Sequence, residues 1–166
     1  MNHYYHAKKW LELAEKEIDY FDKFVYCYFA LNALYNPHYE RSERQAICTL
    51  FKRTYNYNYG FKEEMRNILN AKEIKYFINR RPIRNCKYNP EINHNDRYDT
   101  AKEKALLLSN NWFSSNQAML MIIYQIRCNL FHGNKQYYDE NDQDIMKNAS
   151  ILLLKYMKAF VKYPTY

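Results

Sequence analysis

Two glycines and four prolines in 166 residues leave this chain few places to turn sharply. A sheet joined by tight hairpins draws on glycine for its turns, so their scarcity directs the fold toward helices joined by few loops. The chain is also 48% hydrophobic and 18% aromatic, with 19 Tyr and 9 Phe. That is ample material for a core and far too aromatic for a disordered segment. The expectation is an all-α protein, an antiparallel bundle of about five or six helices, in a single domain spanning residues 1–166.

Apolar periodicity places the elements. Residues 6–36 read as one long helix or two abutting ones, with Asp19 or Asp22 able to cap a second piece, until Pro37 stops the pattern. Ser42 is a candidate cap for the next helix, with Gln45 completing a capping box ahead of Ile47, Leu50 and Phe51. Gly60 punctuates, and residues 61–78 carry Met65, Ile68, Leu69, Ile74 and Phe77 at helical spacing. Residues 79–97 show no periodicity and hold Arg80, Arg81, Arg84 and Lys87, which reads as an exposed basic connection. A helix follows a cap at Asp99. Another opens at Ser114 or Ser115, carries residues 118–131 and stops at Gly133. Asp139, Glu140, Asp142 and Asp144 suit the start of the last helix, where the macrodipole favours carboxylates.

Formal net charge is +7, which attracts phosphate polyanions without specifying sequence or reaction. No apolar run approaches the ~20 residues of a spanning helix, and MNHYYHAKKW has no apolar stretch of the signal-peptide kind, so neither a membrane span nor a leader is expected. Cys27, Cys48, Cys86 and Cys128 form no CxxC pair and read as free thiols of a cytoplasmic protein. The histidines make no metal motif, so neither metal nor cofactor is expected.

The segment IRCNLFHG, residues 126–133, carries the chemistry. Residues five apart on a regular helix stand about 140° apart around its axis, so Arg127 and His132 cannot share a face mid-helix. They can converge if His132 ends the helix and Gly133 takes the left-handed turn beyond it. An arginine fork matches a phosphate or a phosphorane, and a histidine can take a proton from a 2′-hydroxyl or give one to a leaving 5′-oxygen. One chain supplies one such His. A two-fold dimer would bring a second Arg–His set to the same cleft, giving base and acid together.

RCNLFHGNK resembles the signature of the HEPN family, an Arg, four to six residues, then a His. FALNALYN, residues 29–36, is similar to an early helix of a bacterial branch of that family. The resemblance implies an all-α homodimer with a composite, metal-independent endoribonuclease site at its interface, built on Arg127 and His132 and leaving a 2′,3′-cyclic phosphate. It also implies a toxin or phage-defence role, with an antitoxin protein as a partner. The position after the Arg is usually Asn, Asp or His in active members, whereas this chain has Cys128, with Asn129 as a substitute polar helper. Members silenced by adenylylation carry Tyr two residues past the His, where this chain has Asn134. Asn32 is either a satisfied amide or an orienter of the Arg–His pair. Arg80, Arg81, Arg84, Lys87 and Lys135 are the candidates for holding RNA. Two other readings stay open, a HEPN-type module that binds RNA or nucleotide without cutting it, and an adaptor that docks a protein.

Overall fold

Polar side chains set where most of the helices begin. In the computed structural model, residues 3–36, 42–85, 99–132 and 137–164 are described. Helix α1 (His3–Lys16) ends where Glu17 turns its carboxylate onto the N–H groups of Ile18 and Asp19, at 2.7 and 2.9 Å. Asp19 then accepts from Phe21 and Asp22 N–H and opens α2 (Tyr20–Tyr35), so residues 6–36 are two abutting helices. Ser42 accepts from Gln45 N–H at 3.2 Å to cap α3 (Glu43–Tyr57). Asn58 caps α4 (Tyr59–Leu69), α5 is Lys72–Asn79, and α6 is Ala101–Leu107. Asn111 caps α7 (Trp112–Phe131), and Asp139 caps α8 (Glu140–Lys162), accepting from Asp142 N–H at 2.8 Å.

The described residues thus hold eight helices where periodicity suggested five or six. Residues 61–78 divide because Asn70 closes one helix and Ala71 is extended, at φ −66° and ψ 145°, before the next. The apolar rhythm runs through this break because Ile68, Ile74 and Phe77 all enter the same core. Gly60 does not punctuate; it lies in the first turn of α4. A Cβ there would stand 2.5 Å from the Tyr163 ring and would have to displace it, so close packing, not a turn, favours the glycine. Ser114 and Ser115 likewise sit inside α7, one turn after its actual cap.

One hydrophobic cluster draws residues from all eight helices. α7 runs through it with Ala118, Met119, Leu120, Met121, Ile122, Ile123 and Ile126 all buried. A helix buried on nearly every side cannot shift without opening cavities, so whatever its ends present is held rigidly. α2 and α8 pack closely together, and α3 crosses α7. Among the described residues no helix is long and apolar enough to cross a membrane.

Candidate active site

Three helix ends meet at one pole: the C-terminal halves of α2 and α7 and the first turn of α3. Arg127, in the penultimate turn of α7, pairs its Nη1 with Glu43 Oε2 at 3.3 Å. Glu43 is fixed from the other side. Tyr28 and Tyr35 Oη both donate to its Oε1, at 2.9 and 2.5 Å, and Asn32 Nδ2 donates to Tyr35 Oη at 3.0 Å. Tyr28, Asn32 and Tyr35 are spaced by four and three residues, so one face of α2 carries the whole relay. Arg127 also lies over the rings of Tyr28 and Phe131, 5.4 and 4.9 Å from their centroids.

The electrostatics follow from this packing. Burial pulls the Arg127 guanidinium toward losing its proton, but the Glu43 carboxylate, the Tyr28 hydroxyl and the Cys128 sulfur outweigh it and hold the group above its ordinary value. Burial, aided by the same carboxylate, pushes the Tyr28 and Tyr35 hydroxyls well up, so both remain neutral donors. One atom is left over. Arg127 Nε is buried and has no hydrogen-bond partner among the described residues.

His132 is the cap of α7, at φ −92° and ψ 12°, with its backbone N–H returned to Cys128 O at 3.1 Å. It is exposed and lines a cleft of about 440 Å³ with Cys128, Tyr124, Gln125, Ser42 and Arg44. The Arg127 guanidinium faces Glu43, and the His132 imidazole stands in the adjoining cleft walled by the residue before Glu43. Cys128 links the two, within hydrogen-bonding reach of both Arg127 and Tyr124. Burial, then the Cys128 contact, pushes the Tyr124 hydroxyl up to about 12.

Other candidate residues fall elsewhere. Asn129 is buried, donating Nδ2 to Arg84 O at 2.7 Å and accepting from Gln125 at 2.9 Å. It ties α7 to the chain beyond α5, where Arg84 bridges Asp99. Residues 80–85 are therefore not simply a solvated connection. Ile83 is buried, and Arg80 is held by Tyr76 Oη at 2.6 Å and Asn141 Oδ1 at 3.3 Å. Arg81 and Arg84 are exposed. Asn32 reaches Arg127 only through Tyr35 and Glu43. Lys87, Gly133, Asn134 and Lys135 lie outside the described residues.

Sequence reasoning missed Glu43, Tyr28 and Tyr35. Tyr35 stands within FALNALYN, and Glu43 directly follows the cap Ser42, where a carboxylate also suits a helix start, so its second task was hidden. Among the described residues no three His, Cys, Asp or Glu side chains cluster as metal ligands do. Fold and pole together describe an all-helical protein with an arginine held by a carboxylate in the penultimate turn of α7 and an exposed histidine capping that helix. No family model, curated protein or solved structure matches the chain.

Proposed function

We propose that the chain is an endoribonuclease that cleaves RNA without a metal ion, through a composite site made by two copies of the Arg127–His132 pole. The observation that carries this reading is the guanidinium that Glu43 holds before any substrate arrives, the carboxylate itself fixed by two tyrosine hydroxyls, near the end of α7 that the exposed His132 caps. Groups already oriented toward developing charge cost no reorganisation during reaction. The Arg127 fork binds the scissile phosphate. One His132 takes the proton of the 2′-hydroxyl as the O2′–P bond forms. As the P–O5′ bond breaks, the second copy's histidine gives a proton to the leaving oxygen. The products are a 2′,3′-cyclic phosphate and a 5′-hydroxyl. Exposed Arg81 and Arg84 extend the positive surface for the phosphate backbone. The resemblance to HEPN sequences, with the toxin or defence role it implies, supports the same reading.

Purified protein acting on total RNA in the presence of EDTA tests it. His132→Ala, whose side chain is exposed, is expected to lower cleavage by ~10²–10⁴-fold with the melting temperature unchanged. If the wild-type chain folds well and never cuts, or His132→Ala cuts normally, the pole is a helix cap and a binding module without chemistry is the better description.

A further inference from the structure

The other end of α7 carries a surface the ribonuclease reading does not use. The run Tyr55-Asn56-Tyr57-Asn58-Tyr59 forms the corner between α3 and α4. Tyr57 and Tyr59 are 85% and 76% exposed there, and Trp112, at the start of α7, is 45% exposed. The Arg66 guanidinium lies 3.7 Å from the centre of the Trp112 ring, and Lys62 sits over Tyr55, which rests edge-on against Phe113 at 5.1 Å. We infer that this corner is a stacking platform for single-stranded RNA, separate from the cleavage site.

Three observations support it. Tyr57, Tyr59 and Trp112 leave ring surface open to solvent, and bases stack on such rings without needing a particular sequence. The corner is anchored at the start of α4, where Gly60 packs directly against Tyr163 and Asn58 caps the helix. The charge also fits phosphate. Among the described residues, the corner and its flanks carry Lys52, Arg53, Lys62, Arg66 and Lys162 with Glu63 and Glu64; Arg66 pairs with Glu63 and Lys162 with Glu64, which leaves the surface net positive. α7 has 20 residues, so the platform lies about 30 Å from His132, a span of several nucleotides. An RNA held there is anchored away from the bond being cut. The choice of RNA over DNA rests on the proposed ribonuclease activity; the stacking surface does not.

A Trp10→Phe chain leaves Trp112 as its one indole and reports on the platform directly. Titration with a 2′-O-methyl oligouridylate of roughly twelve nucleotides, within the span of one single-strand site, is expected to quench Trp112 emission saturably. The affinity should fall as salt rises. Tyr57→Ala with Tyr59→Ala should weaken binding about tenfold or more, and a duplex of equal length should compete poorly. If Trp10→Phe impairs folding, filter binding with the unsubstituted indoles gives the same comparison between Tyr57/Tyr59 and alanine. Unchanged emission with undiminished filter binding of the double variant overturns the platform. So does an emission change that follows protein concentration without RNA and vanishes in the double variant, which would make the corner a protein–protein surface. The probe has no free 2′-hydroxyl and cannot be cut, so its binding stands apart from the activity. Cleavage of unmodified RNA by the same preparation reports separately on the ribonuclease.

Discussion

Asn116 and Arg127 lie on the same helix, eleven positions apart, and the protein treats them differently. Asn116 is fully buried near the start of α7, and its amide is fully used. Nδ2 donates to Met65 O at 3.2 Å and Trp112 O at 2.8 Å, while Oδ1 accepts from Tyr156 at 2.7 Å. Arg127 near the other end has an ion pair, two ring contacts, the Cys128 sulfur within hydrogen-bonding reach and a buried Nε with no partner among the described residues. Buried polar groups in folded proteins are nearly always paired, so an orphan calls for a reason beyond folding. Asn116 locks α4, α7 and α8 together. Arg127 is aimed but incompletely satisfied, as a group that receives a ligand would be.

The contrast can be broken at either end. Asn116→Ala leaves the Tyr156 hydroxyl buried without its acceptor and opens space inside the bundle. It is expected to cost about 2–3 kcal/mol in denaturant unfolding, with cleavage per folded molecule unchanged. A matching loss of activity in fully folded protein would show that the two ends do not have separate duties.

Glu43→Gln sharpens the other end. The amide keeps an acceptor for Tyr28 and Tyr35 but removes the charge that faces Arg127. Cleavage should fall about tenfold, equivalent to roughly 1.4 kcal/mol of transition-state stabilisation. Thermal unfolding should move less than for Asn116→Ala, because the amide oxygen still accepts from both tyrosine hydroxyls. Glu43→Asp, which keeps the charge on a shorter arm, should recover part of the rate. If Glu43→Gln cuts as fast as wild type, Arg127 does not depend on its carboxylate.

The sequence exposed what depends on local rhythm and hid what depends on contacts between distant segments. The helical class followed from glycine scarcity and periodicity, and the caps at Ser42 and at Asp19, one of two candidates there, were readable because capping is decided within three residues. The division at Asn70–Ala71 was not readable, since both halves face one core and the apolar spacing never falters. Gly60 was misread for a related reason. What it must avoid is Tyr163, about a hundred positions away. At the pole, Arg127 and His132 stood out by type and spacing, and Asn32 by the resemblance of residues 29–36. Glu43 joined them only through a tertiary contact spanning 84 positions of sequence.

The smallest expected effect tests whether Asp19, at the α1–α2 junction and well away from Arg127, matters to folding alone. Burial works to raise its carboxyl, but the Tyr137 hydroxyl and the N–H groups of Asp22 and Phe21 hold it below the ordinary value of 3.8. A carboxylate whose pKa is depressed by folding stabilises the native state while it is ionised. That contribution is complete above the unfolded value and is lost as pH falls through the lower native one. Between neutrality and about pH 5, Asp19 should therefore add nothing to the pH dependence of unfolding, and below about 4 its share should drain away. Asp19→Asn keeps a capping oxygen and removes the titration, so its acid branch should be shallower, with neutral-pH stability lower by less than about 1 kcal/mol. RNA cleavage by the folded variant should match wild type. Parallel acid branches for the two chains would mean that Asp19 gains nothing from its charge at this cap. A cleavage defect in the folded variant would instead couple the α1–α2 junction, where Tyr137 donates to Asp19, to the pole.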